Sequence, residues 1–276
     1  MILVALTLAF AVLQFIRLRR ALHIFQLEGY KRARFLVWCS RHRGRSLFLK
    51  ATGAKKPLVM TGRAWRLLIT ATVLTVAPVV SAAARFSVLS WALLMLVLTL
   101  YTYTFLVVAD FLLAPVQSLI NGRYMRAARR RLDDIAPLVV GVTGSFGKTS
   151  TKFAIRDLIG PPGSALATPG SYNTPLGVCR AINEQLEPTH RYLIVEMGAY
   201  REGDIAELCA FVRPSVGVLT AIGPAHLERF GSPEAIRRAK YEIVTSLSPD
   251  GTAVMNVDDS TVRALADDTT NVRVVR

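Results

Sequence analysis

The pattern of apolar and polar residues changes near residue 137. Before that point long apolar runs alternate with clusters of Arg and Lys, whereas beyond it short apolar runs alternate with amphipathic segments. The long apolar runs lie at 2–16, 67–84 and 86–108. Such runs are typical of helices that cross a bilayer, although the first is short unless its flanking side chains extend to the interface. We therefore predict a transmembrane α-helical region at 1–137 and a second domain at 138–276.

After residue 137 the pattern predicts alternating strands and helices. Apolar runs rich in β-branched residues predict buried strands, and apolar residues at helical spacing predict helices between them. The strands are predicted at 138–142, 192–195, 216–222 and 252–257. The helices are predicted at 148–159, 175–186, 204–211 and 233–247. This alternation is typical of a doubly wound α/β fold with a mostly parallel sheet.

Charge separates the same two parts. The chain has 276 residues, of which 52% are hydrophobic, and a net charge of +15. Residues 1–137 carry 20 Lys and Arg against 4 Asp and Glu, and residues 138–276 carry 14 against 15. Because the basic clusters flank apolar runs, they favour anionic membrane lipid as a partner and argue against nucleic acid. The positive-inside rule places 17–66 and 123 onward in the cytoplasm, which predicts a multi-pass protein of the cell membrane with its N-terminus outside.

A glycine-rich segment, Gly141–Ser150, joins the first strand of the second domain to the helix that follows it. In this context glycines let backbone N–H groups close around phosphate oxygens, Lys148 reaches the terminal phosphates and the Thr149 hydroxyl holds Mg²⁺. The general phosphate-loop spacing requires glycine at position 142, where this chain has Val142. The segment therefore predicts a triphosphate site with a one-residue departure from that spacing, and the alternative is an ordinary glycine-rich turn.

Two further side chains are predicted at the same edge of the sheet. Glu196 ends the strand predicted at 192–195, and His226 follows the strand predicted at 216–222. Ligands of doubly wound sheets collect outside the carboxyl ends of the strands. A carboxylate there suits Mg²⁺ bound to phosphates, and an imidazole suits a second metal position. Taken singly, a helix cap or surface acid is the alternative for Glu196, and a structural histidine for His226.

Five segments, in their order and spacing, resemble the central ATP-binding domain of the Mur ligases. They are Gly141–Ser150, Thr168–Val178, Glu196–Gly198, Ile222–Glu228 and Ala239–Ile243. The phosphate loop with its offset is the form found in that family. Within the family, the resemblance points to the members that add D-alanyl-D-alanine to UDP-N-acetylmuramoyl-tripeptide.

The resemblance implies ATP-dependent synthesis of an amide bond on a P-loop α/β domain. A substrate carboxylate attacks the γ-phosphate of ATP to form an acyl phosphate and ADP, and an amine then attacks the acyl carbon and releases phosphate. The implied cofactors are ATP and Mg²⁺. The implied substrate is a carboxylate-bearing precursor of the cell wall.

Matching positions give each site residue an implied role. Lys148 stabilises the transferring phosphate, Thr149 and Glu196 hold the first Mg²⁺, and His226 serves the second. Lys240 matches a lysine that is carbamoylated in several members to give a metal-binding carboxylate, and a plain lysine on the helix surface is the alternative. The other implied nucleotide contacts are those of Gly144, Ser145, Gly147, Ser150, Asn173 near the phosphates and Asn256 at the adenine.

The chain departs from the family on both sides of this domain. Apolar runs take the place of the soluble N-terminal domain that binds the uridine nucleotide, and the sequence stops at Arg276, within the central domain. We therefore expect a fragment, or a chain completed by a partner with the C-terminal ligase domain, and no ligation by these residues alone. Ser171 stands where asparagine is common. Two other interpretations stay open: a membrane-bound poly-γ-glutamate-type synthetase and a non-catalytic, ATP-binding membrane anchor.

Overall fold

A computed structural model describes residues 2–41, 57–83, 85, 87–170, 172–225 and 227–276. The chain forms two compact units, Met1–Leu119 and Ile120–Arg276. The described part of the first unit is helical, and the second unit combines helices with a sheet.

Five helices, most of them apolar, build the described part of the first unit. They are Ile2–Leu27, Arg32–Arg41, Gly62–Ala83, Val88–Leu100 and the first part of Thr102–Ile135. Among the described residues, Gly62–Ala83 and Thr102–Ile135 are long and apolar enough to cross a membrane, and Val88–Leu100 is a shorter apolar helix. Apolar side chains fill the space between these helices, yet large ones such as Val73 and Phe111 are also exposed.

The apolar run at 86–108 is divided between two helices. The helix Val88–Leu100 ends within this run, and a new helix begins at Thr102. Near the break, the carbonyl oxygen of Thr99 accepts hydrogen bonds from the Thr102 hydroxyl at 2.8 Å and from Arg17 Nη2 at 2.9 Å. Polar side chains thus satisfy a backbone group at the end of the first helix. The run predicted as a span at 86–108 therefore covers parts of two helices, whereas the described residues of each of the other two runs fall on a single helix.

Asp110 ties three helices of the first unit together. Its carboxylate is buried and accepts hydrogen bonds from Arg32 Nε at 2.7 Å and from Arg63 Nη2 at 2.9 Å. The guanidinium of Arg63 also lies over the ring of Tyr30, 4.1 Å from its centre. Because a buried charge is tolerated only when it is paired, these contacts give Asp110 a structural role.

The second unit contains a six-stranded sheet. Its strands are β1 (Leu138–Thr143), β2 (Ala165–Ala167), β3 (Tyr192–Glu196), β4 (Val216–Leu219), β5 (Thr252–Met255) and β6 (Arg273–Val275). They lie in the order β2-β3-β1-β4-β5-β6, and all pairs are parallel. Val140 of the central strand β1 is opposite Ile194 on one side and Val216 on the other. The chain therefore winds outward in both directions from β1, which confirms the doubly wound fold.

Helices connect these strands. They are Lys148–Leu158, Pro175–Gln185, Asp204–Val212, Leu227–Phe230, Pro233–Thr245 and Ser260–Asp268. Local sequence fixes where two of them begin, because Thr174 and Ser232 accept hydrogen bonds from the first turn and a proline follows each of them. The four predicted strands and four predicted helices are all present. β2, β6 and the helices Leu227–Phe230 and Ser260–Asp268 were not predicted.

The two units divide at 119/120 rather than at the predicted 137/138. The C-terminal part of helix Thr102–Ile135 belongs to the second unit, because Ala128 and Leu132, one turn apart, are buried in its core. Arg131 Nε donates to the carbonyl oxygen of Leu186 in the same unit. The prediction relied on the basic residues of this stretch, which resemble the composition of the first unit. The apolar residues between them pack in the core of the second unit, so the boundary lies earlier in the chain.

Candidate nucleotide site

The phosphate loop connects β1 to the helix Lys148–Leu158. Gly144 and Gly147 have φ angles of +152° and +77°, a region that favours glycine. A Cβ on Gly144 would lie 2.0 Å from Thr220 Oγ1, so a larger residue does not fit there. The loop leaves the backbone N–H groups of the first helical turn without helical partners, which is the arrangement that binds phosphate.

The segment after β4 supports this loop. The backbone N–H of Ser145 donates to the carbonyl oxygen of Ala221 at 2.7 Å, and the Thr220 hydroxyl donates to the carbonyl oxygen of Phe146 at 2.6 Å. Asn256, just after β5, donates from Nδ2 to the carbonyl oxygen of Thr220 at 2.9 Å. Asn256 is therefore linked to the phosphate loop through Thr220. Thr220 and Ala221 hydrogen-bond the phosphate loop and are not part of the strand. β4 therefore ends at Leu219, before the predicted residue 222.

Lys148 begins the helix and folds its side chain over the loop. Nζ donates to the carbonyl oxygens of Gly144 at 2.7 Å and Ser145 at 3.3 Å. Burial lowers the pKa of Lys148 from its ordinary value, and the charge of Glu196 opposes that change. The helix N-terminus adds partial positive charge at the same place. Backbone donors and a lysine cation together suit the phosphates of a nucleotide.

Glu196 ends β3 and is 2% exposed. Its Oε2 accepts from Thr149 Oγ1 at 2.9 Å and from Lys152 Nζ at 3.0 Å, and its Oε1 accepts from Asn173 Nδ2 at 3.1 Å. Burial raises the pKa of Glu196, but the bonds from Lys152, Thr149 and Asn173 and the charge of Lys152 together outweigh burial and lower it. Glu196 is therefore an ionised carboxylate, and neither a helix cap nor a surface acid.

Thr149 and Glu196 fit a magnesium ion bound with a nucleotide. Both present oxygen atoms, 2.9 Å apart, beside the phosphate loop. The described residues include no group of three or more His, Cys, Asp or Glu that could hold a metal. Mg²⁺ usually takes one or two protein oxygens and completes its shell with phosphate and water oxygens. Two protein oxygens next to a phosphate loop match that preference.

Lys240 is 4% exposed, so it is not a plain lysine on the surface of helix Pro233–Thr245. Together with Lys148, Asn173 and Tyr200 it lines a cleft of about 60 Å³. Within the part of the chain that the structure describes, its ammonium has no hydrogen-bond or ion-pair partner. Burial, followed by the charge of Lys148, lowers the pKa of Lys240 to about 8. Lys240 is therefore partly neutral near neutral pH and faces the phosphate loop.

The structure brings most of the predicted residues to one edge of the sheet. Ser145, Gly147 and Ser150 lie with the phosphate loop and the first helical turn. His226 and Ser171 lie outside the described residues, so the second metal position stays a sequence prediction.

Two residues of the site were missed from the sequence. Lys152 bonds Glu196 from inside the protein, and the Thr168 hydroxyl accepts from the backbone N–H of Glu196 at 3.1 Å. The spacing of Lys152, three positions after Thr149 on a helix, was a usable signal for a shared face. Thr168 is the first residue of one of the segments that resemble the family, but a threonine at that position does not by itself indicate a contact with Glu196.

Comparisons with known proteins agree with this geometry. The family model described as Mur ligase middle domain matches residues 142–276. The UDP-N-acetylmuramoyl-tripeptide--D-alanyl-D-alanine ligase of Mycobacterium leprae (strain TN) is 43% identical over 138 residues, which are 50% of this chain and 26% of that protein. The protein of the same name from Escherichia coli (strain K12) is 37% identical over 122 residues, 44% of this chain and 27% of that protein.

A solved structure shows the same fold. The crystal structure of MurF ligase from Thermotoga maritima in complex with ADP matches with a TM-score of 0.51 and 36% identity, over 56% of this chain and 35% of that one. The chain spans about a quarter of the length of the curated relatives it matches. Residues 142–276 belong to the Mur ligase family and form its middle domain.

Proposed function

We propose that the chain is the nucleotide-binding part of an ATP-dependent carbon–nitrogen ligase that joins D-alanyl-D-alanine to UDP-N-acetylmuramoyl-tripeptide. The observation that carries this proposal is the buried Glu196 carboxylate bonded to Thr149 beside the phosphate loop. It lies on a Mur ligase middle domain whose relatives carry that ligase name. Peptidoglycan synthesis is the process in which such a ligase acts.

Most residues of the site have a task in this proposal. The loop N–H groups hold the phosphates of ATP, and Lys148 leaves its carbonyl partners to neutralise the phosphate that is transferred. Thr149 and Glu196 hold Mg²⁺, which supplies electrostatic stabilisation of the phosphate charge. Asn173 keeps Glu196 oriented, and Asn256 lies where the adenine contact is predicted. We place His226 at the second metal position.

Lys240 is proposed to act as a carbamate. The ammonium first loses one proton to water. The neutral amine then attacks the carbon of carbon dioxide, so that an N–C bond forms as one C=O π bond breaks, and the nitrogen releases a second proton; the loss of both protons and the addition of CO2 turn the cation into a carbamate anion. Burial, the lack of a hydrogen-bond or ion-pair partner among the described residues and a pKa of about 8 support this, because the neutral amine is the nucleophile. Because Lys240 lines the same cleft as Lys148, the carboxylate would form beside the phosphate loop.

We also propose that the first unit attaches the domain to the cell membrane as a multi-pass region. Two apolar helices of sufficient length and the exposed apolar side chains support this. The basic clusters at 17–66 and 123–131 are proposed to face the cytoplasm and anionic lipid headgroups. This topology places the nucleotide site in the cytoplasm, where ATP is present.

Binding of Mg·ATP to the detergent-solubilised chain tests the site. Lys148→Ala should abolish binding measured by calorimetry, because it removes the cation of the phosphate loop, and should leave the far-ultraviolet circular dichroism unchanged. Exposed Arg237→Ala, on another helix, is the control and should bind as the wild type does. Unchanged ATP affinity in Lys148→Ala would refute the site. ATP turnover that depends on glutamate, and not on the muramoyl tripeptide, would favour a poly-γ-glutamate-type synthetase.

A further inference from the structure

Lys152 is a buried cation to which the proposed function gives no task. It follows Thr149 by three positions on the same helix and is 0% exposed. Its Nζ donates to Glu196 Oε2 at 3.0 Å and to the carbonyl oxygen of Gly170. Taking an ammonium group out of water is costly unless its bonds are made, so a buried lysine marks a place where a charge is needed.

The two bonds of Lys152 join the carboxylate to the loop between β2 and the helix Pro175–Gln185. This loop contains both Gly170 and Asn173, and Asn173 donates to the other carboxylate oxygen of Glu196 at 3.1 Å. The backbone N–H of Gly198 donates to the carbonyl oxygen of Asn173 at 3.0 Å and holds the loop against the end of β3. The hydrogen bonds therefore form a closed circuit, and the carboxylate cannot rotate without breaking one of them.

Lys152 shares one carboxylate oxygen with the proposed metal ligand Thr149. It is not among the described residues that line the phosphate cleft, so it acts on the ligand through Glu196. We propose that Lys152 is a positioning residue, which orients the Glu196 carboxylate toward Thr149 for Mg²⁺ and couples that orientation to the loop of Asn173. The inference rests on the proposed nucleotide site and adds a residue to it.

The test compares ATP affinity with Mg²⁺ and with a chelator, by calorimetry on the full detergent-solubilised chain. Loss of a residue that orients a metal ligand typically lowers metal affinity by about 10–100-fold. The ratio of ATP affinity with Mg²⁺ to ATP affinity without it should therefore fall at least about tenfold in Lys152→Met. Affinity without Mg²⁺ should stay near the wild-type value, because the phosphate loop is intact. The matched control is Arg156→Met, one turn further along the helix and 41% exposed, which should change neither affinity.

The outcomes separate positioning from packing. If Lys152→Met lowers both affinities equally, or neither, the positioning role is overturned. Should circular dichroism show that this variant is unfolded, Lys152→Arg replaces it. Its planar head keeps the charge but cannot reproduce both bonds, and an unchanged Mg²⁺-dependent gain in that variant also overturns the role. A wild-type chain with no Mg²⁺-dependent gain refutes the proposed nucleotide site itself.

Discussion

Burial of the Lys240 ammonium lowers the free energy of unfolding by an amount that depends on pH. Because its pKa falls from 10.5 to about 8 on folding, the unfolded chain binds more protons between these pH values. The free energy of unfolding therefore rises with pH across that window. Removing the amine with Lys240→Met should raise the free energy of unfolding at pH 7 by up to about 3 kcal/mol. The difference from wild type should shrink above pH 8 and vanish near pH 10.5.

Denaturation of both proteins in buffer free of carbon dioxide, followed by circular dichroism, checks this. Arg237→Met, exposed on the same helix, is the control and should show no such pH dependence relative to wild type. If the wild-type and Lys240→Met curves run parallel from pH 7 to pH 10.5, the amine is not buried as a free lysine.

The residues of the site differ in how far the sequence predicts them. Gly144, Lys148 and Thr149 come from one contiguous motif whose chemistry depends on local geometry, so the motif alone predicts them. Glu196 was found because it ends an apolar strand. Lys152 is harder to find, because its partners come from two distant segments and a lone lysine on an amphipathic helix usually faces water. Its spacing from Thr149 is the one local signal that it shares the face of the site.

Glu242 caps a neighbouring helix. The helix Asp204–Val212 begins after Gly203, which has no side chain to cap it. Glu242, from another helix, instead accepts from the backbone N–H groups of Ile205 at 3.1 Å and Ala206 at 3.0 Å. Loss of a cap with a charge near a helix N-terminus costs about 1–2 kcal/mol, so Glu242→Ala should lower the free energy of unfolding by that amount.

Thermal denaturation of the solubilised chain measures the loss. Glu184→Ala is the matched control, since it removes an exposed ion pair with Arg180 that is worth about 0.5 kcal/mol or less. Equal losses in the two variants would show that Glu242 contributes as a surface charge and not as a cap.

At the scale of elements, the sequence predicts the middle of the sheet better than its edges. β1, β3 and β4 are buried on both faces and therefore appear as continuous apolar runs. β2 and β6 have three residues each at the two edges, too few to give a periodic signal. The unit boundary is hidden for a different reason, because helical periodicity continues across it in Thr102–Ile135.

For the whole molecule, the proposed topology places the segment near Arg85 outside the cell. A single cysteine introduced as Ser87→Cys, in a chain whose native cysteines are replaced, should react with an impermeant maleimide added to intact cells. Lys31→Cys, in the basic segment, should react only after the membrane is opened. Labelling of position 87 only from the cytoplasmic side would refute this topology.

Amide ligation requires more than a nucleotide site. The groups proposed to bind ATP lie within 138–276, but ligation also requires the carboxylate and the amine in attacking geometry. Positioning of two reactants is worth about 7–11 kcal/mol of the barrier. Since the chain spans about a quarter of the relatives' length, we expect it to bind Mg·ATP without forming the amide.

A chimera can separate the domain's contribution from that of the rest. Residues 138–276 would replace the matching segment of the Escherichia coli relative, and phosphate release and product would be measured with uridine-linked muramoyl tripeptide and D-alanyl-D-alanine. We expect product from the chimera, none from the 276-residue chain, and none from the chimera that carries Lys148→Ala. Product from the short chain would show that the positioning groups lie within it. An inactive but folded chimera that binds Mg·ATP would mean that the middle domain serves a different acceptor, because the ATP chemistry would be present without the ligation it is proposed to drive.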